Sequence, residues 1–99
     1  MTNLVGMAGR SERRTARGAV AAYHDVELSA LTRRAGEAID RFSAGDLDAF
    51  ETDQDLFQYG RAAKELWKFC NLGAVVSTAQ VIAEQPPVDW WQRGAFNRR

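Results

Sequence analysis

Between His24 and Phe42 the side chains His24, Leu28, Leu31, Ala35, Ala38 and Phe42 follow one another at alternating steps of four and three, with Val20, Tyr23 and Ile39 beside that row. This spacing keeps one side of a 3.6-residue helix apolar. A strand, whose faces alternate at every residue, cannot present it. The row predicts a helix over about residues 18–42, with Asp25, Ser29, Arg33, Glu37, Asp40 and Arg41 on the opposite face. Glu37 and Arg41 stand at the favourable i,i+4 spacing, worth a few tenths of a kcal/mol. A helix with an apolar face this wide needs a second element to cover it.

The rest of the chain supplies that element. Ser43-Ala44-Gly45-Asp46 reads as a helix stop followed by an acidic cap, and Leu47 to Phe50 as a single helical turn. Thr52 or Asp53 is expected to cap a second helix over about 53–71, with Leu56, Tyr59, Gly60, Ala63, Leu66, Trp67 and Cys70 as its apolar face. Asn71 and Gly73 break the pattern before a third helix near 74–85, which Pro86-Pro87 ends. Asp89 then caps a short turn carrying Trp90 and Trp91. Ahead of the first helix, residues 1–17 are polar and glycine-containing and are expected to form a disordered basic arm; residues 93–99 form a basic tail. The helical domain is then 18–92.

The fold class this predicts is all-α. It is a small irregular bundle of two main antiparallel helices, a third shorter helix and a C-terminal tryptophan segment. Leu28, Leu31, Ala35 and Phe42 should meet Leu56, Ala63 and Trp67 across a dry seam.

Charge says more about partners than about fold. The 99 residues carry 13 Lys+Arg and 13 Asp+Glu, for no net charge, but the signs are segregated. Arg10, Arg13, Arg14 and Arg17 face Glu12 alone, the stretch from Asp25 to Asp55 is strongly acidic, and the C-terminal part is basic again. One cysteine cannot form an intramolecular disulfide, and neither a secretory apolar region nor a run of about 20 apolar residues is visible, so the cytoplasm is the expected location.

Possible chemical sites are few. Read as a calcium loop, Asp40 to Glu51 has acids at its ends and Gly45 sixth, but Phe42 and Ala44 stand where oxygen ligands are needed. Helix capping explains the same residues without a metal. His24 and Glu27, three apart, resemble half of a carboxylate-bridged metal site whose other ligands are missing. His24 is read as a packed side chain able to act as a pH-sensitive interface group, and Cys70 as a small buried hydrophobe. Ser29, Ser43 and Ser77 have no recognisable base, so no enzyme is expected, and no cofactor.

The terminal arginines, with Arg93, Arg98 and Arg99, can grip phosphates, and Trp90 and Trp91 can stack bases or anchor the C-terminal segment. The acidic centre opposes a polyanion, so nucleic acid is the second choice of partner and a metal ion the third. The first is another protein, or a second copy. Arg13, Arg14, Arg17, His24, Trp90, Trp91 and Arg93 are the candidate contact residues, because aromatic side chains and arginine carry most binding energy at interfaces.

The runs Ala38-Ile39-Asp40-Arg41-Phe42, Gly45-Asp46-Leu47-Asp48-Ala49-Phe50-Glu51 and Arg61 to Cys70, with the Asp89-Trp90-Trp91 ending, resemble small helical proteins of high-GC bacteria that have no assigned function. The resemblance covers about residues 20–92. It implies a helical fold and carries no activity, ligand or site residue.

Overall fold

The computed structural model describes the backbone of residues 2–96 and the side chains of residues 9–96. Four helices follow in order: α1 (Thr2–Ser43), α2 (Ala49–Asn71), α3 (Val75–Glu84) and α4 (Trp90–Arg93). Among the described residues there is no strand. The all-α bundle expected from the spacing is the observed fold, and none of its helices is both long and apolar enough to cross a membrane.

Helix α1 is 42 residues long, about 63 Å at 1.5 Å per residue, and sets the 65 Å long axis of the molecule. The disordered arm expected over 1–17 is corrected for its described residues: residues 2–17 are the first part of α1. Ala16 supplies the physical reason, being buried together with Val20 where α3 packs along the helix, so that Ser11, Thr15, Ala16 and Ala19 line a groove opposite Val76 and Ala79. The side chains of residues 1–8 lie outside the described residues, as do Arg98 and Arg99.

The turn between α1 and α2 is built by backbone geometry. Gly45 takes φ 84°, and the amides of Gly45 and Asp46 donate to the carbonyls of Phe42 and Arg41 at 3.0 and 2.8 Å, closing a Schellman stop. Asp48, rather than Thr52 or Asp53, then caps α2. Its Oδ1 accepts from the Glu51 amide at 2.8 Å while Glu51 Oε1 accepts from the Asp48 amide at 2.9 Å. Helix α2 thus starts four residues earlier than the spacing predicts and takes in Ala49 and Phe50 of the expected single turn at 47–50, leaving Leu47 and Asp48 ahead of it. Thr52 is buried, its hydroxyl returned to the Asp48 carbonyl at 2.8 Å.

Helices α1 and α2 run antiparallel. Tyr23 meets Phe69 edge-on at 5.9 Å, and Leu31, Ala62, Leu66 and Cys70 fill the seam between them. After Gly73 the chain bends by 116° into α3, which lies against the first half of α1. Helix α4 docks on the same side of the hairpin, held by Gln58 Nε2 donating to the Trp91 carbonyl at 2.8 Å and by Arg61 Nε donating to the Gly94 carbonyl at 2.6 Å. Asp89 Oδ1 accepts from the Gln92 amide at 3.2 Å, as a cap at that position should.

Gly94 fixes how closely α4 can approach. A Cβ on it would lie 2.5 Å from both the Ala62 nitrogen and the Gln58 oxygen, although its φ of −88° suits any residue. The constraint is close packing against the α2 backbone. Gly94→Ala should push α4 off α2 and cost roughly 1–3 kcal/mol, read as a lowered denaturant midpoint with the tryptophan emission shifted to the red.

Candidate functional site

The hairpin of α1 and α2 has two flanks, and only one is covered. On the covered flank Trp90 and Trp91 are both buried. Trp90 Nε1 donates to Tyr23 Oη at 2.8 Å, and its ring packs on Phe69 at 5.4 Å. Arg93 lies over Trp90 at 5.4 Å and Arg34 over Trp91 at 4.9 Å. The tryptophan segment is the expected anchor, with both rings inside. Trp90 and Trp91 are therefore corrected as exposed contact or base-stacking residues, and Arg93 spends its guanidinium on Trp90.

The opposite flank is open. At 100° per residue, Leu28, Ala35, Ile39 and Phe42 of α1 turn to the side away from α4, as do Leu56, Gly60, Ala63 and Trp67 of α2. Leu28 and Ala63 still touch the core, whereas Ile39 is 48% exposed, Phe42 47%, Leu56 38% and Trp67 51%. The dry seam expected between Phe42 and Trp67 is thus corrected. The apolar stripe is wider than the contact between two helices, so its Leu31 and Leu66 side is buried and its Ile39 and Trp67 side faces outward, while Phe42 is exposed by its place at the end of α1. Gly60, beside Trp67, has open space where a Cβ would stand, leaving a shallow dent in this flank.

Charge continues the open flank at both ends. Arg10, Arg13, Arg14 and Arg17 stand at i, i+3, i+4 and i+7 on the same side of α1, all exposed. At the hairpin end Asp53 lines the dent with Leu56 and Gly60, and Asp46 is exposed in the turn, whereas Asp40 falls on the opposite face of α1. Among the described residues the one ion pair is Lys68 to Glu65, at 3.0 Å, so neither cluster is neutralised within the chain.

His24 is half-buried beside Leu28 on this flank, and Glu27 turns the other way, towards α4. The two do not converge. Among the described residues no group of three His, Cys, Asp or Glu side chains is placed to hold a metal ion. Asp48 and Glu51 of the calcium-like stretch are engaged in the capping box.

Burial raises the Cys70 thiol, with the Glu27 charge adding to the effect, which marks the cysteine as a poor nucleophile. Sequence reasoning missed Ala62 and Gly94, whose small size lets α4 reach α2. A glycine after a four-residue turn was their one signal.

No family model, curated protein or solved structure matches this chain. The functional argument therefore rests on the geometry of the open flank and on the charges at its two ends.

Burial also raises the Tyr23 hydroxyl above its ordinary value of 10.0; the hydrogen bond from Trp90 opposes the shift and the Glu27 charge adds to it. The unfolded tyrosine ionises first, so this contribution to stability is complete below pH 10 and is lost as pH rises through the higher folded value. Tyr23→Phe deprives a buried indole N–H of its acceptor and should cost about 1–3 kcal/mol at neutral pH. In urea titrations the gap between wild type and variant should narrow above about pH 10.

Proposed function

We propose that the protein is a binding module, acting through contacts with another protein chain or with itself, and that it is not an enzyme. The observation that supports this most is the row Ile39, Phe42, Leu56 and Trp67, half exposed on one flank while the other flank is closed by α3 and α4. Contiguous apolar surface rimmed by charge is the signature of an interaction site, and a tryptophan within it is the residue type most enriched in binding hot spots. Of the residues the sequence singles out, His24 belongs to this flank, and Arg13, Arg14 and Arg17 extend it. The module needs no cofactor in this reading, and the cytoplasm is its location, consistent with a lone reduced cysteine.

A photocrosslinking residue placed at Ile39 should capture a second polypeptide. The same residue at Val26, 62% exposed but on the outer side of α1, should not. Equal capture at the two positions, or none at Ile39, overturns the reading.

A second reading, attachment to nucleic acid, is favoured by the arginine row at 10, 13, 14 and 17. With both tryptophans buried it has no stacking platform on α4, so it reduces to phosphate contacts. Labelled RNA and DNA titrated at two salt concentrations should then bind at low salt and release steeply as salt rises. No binding at low salt removes this reading.

A further inference from the structure

We infer that the open flank is covered by a second copy of this chain, turned end for end about a twofold axis that crosses the helices near Leu28 and Ala63. This rests on the binding reading above and names its partner.

Surface area gives the first argument. The isolated chain exposes 7358 Å². A compact monomer of 11.0 kDa should expose about 5,600 Å², so the excess is roughly 1,700 Å². Its radius of gyration of 17.8 Å likewise exceeds the roughly 12.6 Å of a compact chain of this length. A standard stable interface covers about 800 Å² on each partner. The surplus belongs to the whole elongated chain, and it is about twice what a standard interface covers on one partner.

Charge gives the second. The arginine row lies at one end of the flank, with Asp53 on the flank and Asp46 in the turn at the other end, and none of them has an ion-pair partner among the described residues. A surface with plus at one end and minus at the other is complementary to itself when reversed, as an isologous twofold contact requires. With the axis at Leu28, facing residues of the two α1 helices have numbers that sum to about 56. Arg10 of one copy then faces Asp46 of the other, and Arg14 faces the turn of Phe42. A parallel pairing would stack like charges at both ends.

Shape gives the third. The same axis sets the two α2 helices antiparallel about Ala63 and Lys64, so that Trp67 of one copy comes over Gly60 and Ala63 of the other. Gly60 offers the dent and Trp67 the projecting ring. The product is a four-helix core made of two hairpins, with each α3 and α4 on the outside.

Sedimentation equilibrium of the purified full chain should return twice the 11.0 kDa chain mass. Trp67→Arg should return the single mass with unchanged circular dichroism. Because a core-side change can unfold a protein, the exposed pair Arg10→Glu/Arg14→Glu is the second variant. It should raise the dissociation constant by roughly tenfold at low salt and by less at high salt, and adding Asp46→Lys and Asp53→Lys should restore it. A chain that stays monomeric at its highest soluble concentration while Ile39 crosslinks to a different polypeptide overturns the second copy and leaves the binding reading standing. A dimer indifferent to all of these substitutions overturns the placement of the interface.

Discussion

The hydrogen bond from Trp90 Nε1 to Tyr23 Oη joins residues 67 apart in sequence and decides which side of the hairpin is inside. An indole N–H and a phenol hydroxyl are costly to bury alone and inexpensive to bury together. Once they are paired, the Trp90 ring lies on Phe69, Trp91 reaches Gln58 through its carbonyl, and Gly94 can touch the α2 backbone. The α4 turn is only four residues long and has no stability of its own. It is helical because the tryptophans hold it, and by occupying one flank of α1 and α2 it leaves the flank with Ile39, Leu56 and Trp67 uncovered.

The length of α1 compounds this. Helix α2 has 23 residues against the 42 of α1, so nearly half of α1 extends beyond its main partner. An unsupported helix of that kind is marginal in water. The 116° bend after Gly73 returns α3 along the overhang, and Ala16 and Val20 are buried there. This support is one-sided, like that of α4. Both auxiliary helices therefore stabilise the hairpin without closing it, and the molecule is a slab 19 Å thick rather than a rounded bundle.

The helices were legible in the sequence because their signals are local. The four-three spacing, the stop at Gly45, the break at Asn71 to Gly73 and the proline pair each act within a turn or two and appear where expected, while the acidic cap lies at Asp48 rather than Asp46, Thr52 or Asp53. The division of the apolar stripe was not legible. Leu31 and Phe42 sit only about 20° apart on the helix, yet one is buried and the other nearly half exposed, since burial depends on where a partner helix ends. The N-terminal stretch was misread for a related reason. Its own pattern is too weak to bury a face, and it is helical as the continuation of a helix with tertiary support from α3. Trp90 and Trp91 were read correctly as an anchor, but nothing local says that both rings go inside. That outcome needs Tyr23 as an acceptor on another helix and a bare backbone at Gly94.

Segregated charge gives the open flank its direction. Apolar contact alone is indifferent to orientation, because Leu, Ile, Phe and Trp pack equally well on a helix running either way. A neutral total made of separated clusters is different: every arrangement other than the reversed one brings arginine to arginine or carboxylate to carboxylate over part of its length. Such repulsion discriminates between orientations more strongly than exposed ion pairs add affinity. The same separation explains why the monomer gains little from its charges, since α1 holds the arginine row about 45 Å from the hairpin end, well beyond a Debye length at physiological salt. Only another molecule can bring the two together, and a partner carrying the same sequence already has both.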